Sequence, residues 1–102
     1  MSKYEEVKNR EIKRKIDMNL IEVTNTLYDV EILKARLMQL NARPLKNIYR
    51  NLKALKIPNV SNEVFLHTEN SLRELDALES VLKDAEVILQ QQAQYYGKTT
   101  IN

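Results

Sequence analysis

The chain has no cysteine, no tryptophan, one glycine, two prolines, one phenylalanine and one histidine among its 102 residues. Without cysteine there are no disulfides, no thiolate nucleophile and no cysteine-ligated zinc. A small domain that folds without disulfides suits a reducing compartment, so a cytoplasmic location is expected. Scarce glycine and proline argue against an all-β domain, which needs turn residues at short regular intervals. No apolar run approaches the roughly 20 residues that cross a bilayer, so no membrane span is expected. Met1-Ser2-Lys3-Tyr4-Glu5-Glu6 is not followed by the apolar stretch of a signal peptide. The length suits a single helical domain over residues 1–102.

What the chain does have is two strict apolar strings. Ile16, Val23, Val30 and Leu37 recur every seven residues, and so do Leu75, Leu82, Leu89 and Tyr96. A seven-residue repeat keeps one helix face turned towards a partner helix over several turns. The expected fold is therefore all-α: an antiparallel hairpin or bundle of two long helices with coiled-coil-like packing.

Local signals set the expected boundaries. Ser2 and Glu5 fit a capping box, opening a helix over about 2–40 that ends at Asn41-Ala42-Arg43-Pro44. With Ile16 as heptad position a, the d positions are Ile12, Asn19, Thr26, Leu33 and Leu40, two of them polar. Leu20 and Leu27 at e then widen the stripe towards that of a bundle helix, and Thr24-Asn25-Thr26 is a candidate kink. Pro44 suits the first position of a short amphipathic basic helix over 44–56. Its apolar face reads as Leu45, Ile48, Leu52 and Leu55, with Tyr49 beside it. After Ile57-Pro58-Asn59, Asn59 or Ser61 caps a C-terminal helix over 60–96. A second capping box, Ser71 with Glu74, offers an alternative break near 68–71. Gly97 is placed for a left-handed helix stop, with 97–102 as a loose tail. The C-terminal helix carries a further apolar row, Val81, Ile88 and Tyr95, beside its first. Apolar residues on two adjoining faces suit a helix that touches two neighbours.

A first helix of about 38 residues is about 57 Å long. A compact chain of this size has a radius of gyration of about 13 Å, so the stripe overhangs. Uncovered stripes usually mark interfaces, so a homo-oligomer is expected, a dimer first of all.

Charge is uneven. Residues 1–58 carry thirteen Lys and Arg against seven acids, and residues 59–102 carry three against seven, which gives +6 and −4. The cations Arg43, Lys46, Arg50, Lys53 and Lys56 have no acid between them, and Tyr49 lies in their midst. Such a helix can meet phosphates or an acidic protein or membrane surface, or stay solvated. Arg10 and Lys13-Arg14-Lys15 form a second basic run.

Nothing supports an enzyme, and no catalytic residue, metal site or cofactor is expected. Gly97-Lys98-Thr99-Thr100 is similar to the end of a phosphate-binding loop, but that pattern needs a glycine where Gln92 stands and a strand ahead of it. His67 has only Glu63 and Ser71 at helical spacing and no cysteine to join it. In general character the chain is similar to small helical accessory proteins of viruses and mobile elements and to small helical subunits of assemblies, a likeness carried by no motif. The leading expectation is a non-enzymatic protein–protein interaction module: an assembly subunit, adaptor or inhibitor. Its packing or contact residues are Leu20, Leu27, Leu78, Val81 and Ile88, with Tyr95 and Tyr96 as anchors. The alternative is a nucleic-acid-binding accessory protein using Arg43, Lys46, Tyr49, Arg50, Lys53 and Lys56.

Overall fold

The computed structural model describes residues 2–99. They form three helices: α1 (Lys3–Ala42), α2 (Pro44–Ala54) and α3 (Pro58–Thr99). No strand occurs among the described residues, so the fold is all-α as expected. The chain divides into two compact units. The terminal unit comprises residues up to Tyr28 together with those from Ser80 onward; the turn unit is Asp29–Glu79. Each unit is built from stretches of both long helices, and the turn unit also holds α2.

Side-chain and backbone chemistry explains most helix ends. The Ser2 hydroxyl accepts the Glu5 amide at 3.2 Å, and the Ser2 carbonyl accepts the Glu6 amide at 3.1 Å. The hydroxyl thereby pairs one of the amides a helix start leaves unsatisfied, and the carbonyl accepts the first helical bond. At the other end of α1, Arg43 leaves the helical region (φ −135°, ψ −64°) ahead of Pro44, which opens α2 at its first turn. α1 is helical throughout, the candidate kink segment Thr24–Thr26 included.

Lys56 turns the chain from α2 into α3. Its φ is +60°, in the left-handed region, the sole such non-glycine among the described residues. The Lys56 amide donates to the Lys53 carbonyl at 3.1 Å, and the Ile57 amide reaches the Leu52 carbonyl at 2.9 Å. This is the pairing of a Schellman stop, with lysine where glycine is usual.

Three expected boundaries are corrected. α3 begins at Pro58 and not near residue 60, because a proline at the first helical position forgoes only an amide that would lack a partner anyway. The Ser61 amide then donates to the Ile57 carbonyl at 3.3 Å, so Ser61 lies within the helix. The Ser71–Glu74 capping box is not used, and α3 runs unbroken through 68–71. Gly97 is helical with no positive φ, and α3 continues to Thr99. Its small size matters more than its flexibility: a Cβ there would lie 3.3 Å from Lys13 Cε. Of the expected tail, residues 100–102 lie outside the described residues.

The two apolar strings are the sheltered rows. In the terminal unit Ile16 and Leu27 are buried, with Leu20 and Val23 half-buried. They share the shelter with Leu82, Leu89, Ala93 and Tyr96 of α3. The helices run antiparallel in this unit: Thr24 donates its hydroxyl hydrogen to Glu86 at 2.9 Å, while Lys13 lies against Gly97. In the turn unit Val30 is buried, and Ile32, Leu37, Leu72 and Leu75 are half-buried. Lys34 pairs with Asp76 and, at 3.6 Å, with Glu79.

The heptad phase is also corrected. The second sheltered row of α1 is Lys13, Leu20, Leu27, Lys34 and Asn41; of the expected d row Ile12 is half-buried, while Asn19, Thr26, Leu33 and Leu40 are exposed. Asn19 turns its side-chain amide to the Lys15 carbonyl at 2.8 Å. The polar interruptions in that row are Lys13, Lys34 and Asn41, and Lys34 has carboxylate partners.

Candidate interaction sites

Two surfaces stand out, one in each unit. In the turn unit, α2 lies against α3 through Leu45, Tyr49 and Leu52, all half-buried. This corrects the expected apolar face, because Ile48 and Leu55 point outwards at 45% and 70% exposure. α2 is thus turned with Tyr49, and not Ile48, towards α3. The Tyr49 ring meets Phe65 of α3 at 5.9 Å between centroids, and Lys53 Nζ stands 5.7 Å from the Tyr49 ring centre. Beside this cluster is a cleft of about 260 Å³ with Leu45, Tyr49, Val64 and Phe65 on its walls. Lys46 and Arg50 of α2 form one rim, and Thr68 and Glu69 of α3 lie across from them. Among the described residues, no carboxylate forms an ion pair with Arg43, Lys46, Arg50, Lys53 or Lys56.

The structure thus brings Lys46, Tyr49 and Arg50 together, with Lys53 over the tyrosine ring. Arg43 and Lys56 occupy the joints at either end of α2. Arg10 and Lys13-Arg14-Lys15 belong to the terminal unit, where Lys13 is paired with Asp17 at 2.7 Å. The far wall of the cleft, Val64, Phe65, Thr68 and Glu69, was not legible in the sequence. The one available signal was that Phe65 is the only phenylalanine. Thr68 is buried, and its hydroxyl donates to the Val64 carbonyl at 2.7 Å. A second, shallower groove in the same unit is walled by Leu33, Leu37, Leu40 and Leu75, with His67 and Glu74 at its edge.

In the terminal unit, the surface of interest is a face of α3. Leu82, Leu89 and Tyr96 are half-buried. One residue earlier in each heptad, Val81, Ile88 and Tyr95 are 62%, 53% and 65% exposed. Both apolar faces foreseen for this helix are present, and the second lies open to solvent. Tyr95 and Tyr96 meet edge to face at 5.1 Å, so the open row is braced against the sheltered one. Leu20 and Leu27 are used in packing. Leu78, 45% exposed, belongs to the turn unit.

The Asp76 hydrogen bond, aided by Glu79 and outweighing partial desolvation, holds the Lys34 ammonium above its usual range. No group of three or more His, Asp or Glu that would hold a metal occurs among the described residues. No helix among them is long and apolar enough to cross a membrane. No protein-family model, curated protein or solved structure matches this chain.

Proposed function

We propose that the protein is a non-enzymatic protein–protein interaction module that assembles through the open row of α3, and that its first partner is a second copy of itself. The observation that carries this reading is Val81, Ile88 and Tyr95, exposed at strict seven-residue spacing beside a row of the same helix that is already packed. From Val81 to Tyr95 the row extends about 21 Å, nearly four turns. A regular apolar row of that length suits another helix better than it suits water.

The neighbours of the row favour self-pairing in one direction. Asp84, Ala85, Gln91 and Gln92 stand at i+3 and i+4 between its members, on the same helix face, and Asp84 is the one charge among these four. Two copies of α3 laid antiparallel about Ile88 set Val81 opposite Tyr95 and Asp84 opposite Gln92. No like charges meet. A parallel pair would set Asp84 on Asp84. The antiparallel arrangement is the isologous two-fold contact common in homodimers. The module acts as an assembly subunit, adaptor or inhibitor in a reducing compartment, where a chain without cysteine has no disulfide to lose.

The test is Ile88→Asp. Because Ile88 is exposed, its replacement should leave helical content and unfolding cooperativity unchanged. The dissociation constant of the dimer should rise at least about a hundredfold, since a buried unpaired carboxylate costs several kcal/mol. A dimer that tolerates Ile88→Asp would overturn the assignment of this face.

A further inference from the structure

We infer that the α2–α3 cleft of the turn unit binds an acidic peptide segment carrying a large apolar side chain. The inference rests on different residues from the α3 row, so either stands if the other fails. Three observations converge on it.

The first is charge without an internal partner. Helix α2 contains no acid, and among the described residues none of its cations forms an ion pair. Two lysines elsewhere do have carboxylate partners, Lys13 with Asp17 and Lys34 with Asp76. Lys46 and Arg50 are one helical turn apart on the rim of one cleft. Arginine beside lysine at that spacing suits carboxylates, which guanidinium grips in a fork and ammonium meets as a point charge.

The second is the size and lining of the cleft. At about 260 Å³ it falls just below the roughly 300–1,000 Å³ of sites that enclose a whole small molecule. It suits a side chain anchored from a longer segment. Leu45, Tyr49, Val64 and Phe65 offer that side chain apolar and aromatic contact, and Phe65 remains 56% exposed at the opening. An apolar floor with a cationic rim matches a ligand that alternates apolar and acidic groups.

The third separates a peptide from a nucleic acid. Stacking on a base needs an aromatic ring with a free face. Tyr49 is half-buried, packed against Phe65 on one side and capped by Lys53, which leaves Phe65 as the one open ring of the cleft where successive bases would need several. Glu69 places a half-buried carboxylate on the far wall, and it forms no ion pair with Lys46 or Arg50. That carboxylate can accept an amide N–H of a peptide lying along the cleft, a donor that a chain of phosphates lacks.

The test uses the full chain and three labelled probes in fluorescence anisotropy. One is a twelve-residue peptide of Asp and Glu around a central Leu-Phe pair, the second is the same peptide with Ser-Ser at its centre, and the third is a random single-stranded 20-mer DNA. The first probe should bind at least about tenfold more tightly than either of the others, and its affinity should fall with added salt. Arg50→Glu should weaken it at least about tenfold with no change in helical content, since Arg50 is exposed. Phe65→Ser should weaken the Leu-Phe peptide and leave the Ser-Ser peptide unaffected. Equal binding of both peptides would reduce the cleft to a patch of charge and overturn the inference. Tighter binding of the DNA would overturn it in favour of a nucleic-acid interface, and so would retention of peptide affinity in Arg50→Glu.

Discussion

The terminal unit and the turn unit are made from the same two helices, and they finish differently. In the turn unit a third helix lies beside α3, and the result is a cleft with an apolar floor and a cationic rim. In the terminal unit no third helix is present among the described residues, and the second apolar row of α3 stays in water. A helix with two apolar faces needs two neighbours. The turn unit supplies its α3 stretch with both, and the terminal unit supplies one. The row Val81, Ile88 and Tyr95 therefore reads as a contact to be completed between molecules.

The comparison can be broken most forcefully at the core. Leu27→Ala removes one of the few buried apolar side chains and should cost about 2–4 kcal/mol in urea unfolding. Ile88→Ala removes a similar volume from the open row and should change the stability of the monomer by less than about 0.5 kcal/mol. Similar losses in the two variants, measured at concentrations where only monomer is present, would show that the open row of α3 is packed within the monomer as the core is.

A smaller effect sharpens the account of the turn unit. Lys56 sits at a positive φ that glycine adopts without the steric cost a side chain incurs. Lys56→Gly should raise stability by about 1 kcal/mol, because it relieves that conformation in the Schellman stop. A loss of stability would mean that the lysine side chain holds the turn.

The smallest effect concerns Lys34. Its folded-state pKa lies above the ordinary 10.5 that the unfolded chain is taken to have. The pair with Asp76 and Glu79 thus contributes stability that is fully present below pH 10.5 and is lost as pH rises through the folded value. The thermal midpoint of the wild type should fall faster above pH 10.5 than that of Lys34→Met. Parallel curves would remove the pair from the account.

Much of the fold was legible in the sequence because it depends on short-range chemistry. Ser2, Pro44 and the two heptad strings act on neighbours a turn or two away. The phase of α1 was harder. Choosing between the Leu33 and Leu40 row and the Lys34 and Asn41 row needs the opposite helix, since a lysine is tolerable in a sheltered stripe when Asp76 and Glu79 face it. Gly97 misled for the same reason: its role is set by Lys13, far away in sequence. The basic rim of the cleft could be read from the spacing of Lys46 and Arg50. Its far wall could not, because Phe65 meets Tyr49 across a turn made at a left-handed lysine, a conformation lysine gives no cue to expect.

Sedimentation equilibrium of the wild-type chain from about 1 to 100 μM tests the central claim most directly. The account requires a monomer–dimer equilibrium within that range, shifted to monomer by Ile88→Asp at unchanged helicity. A wild-type chain that stays monomeric across the whole range would contradict it.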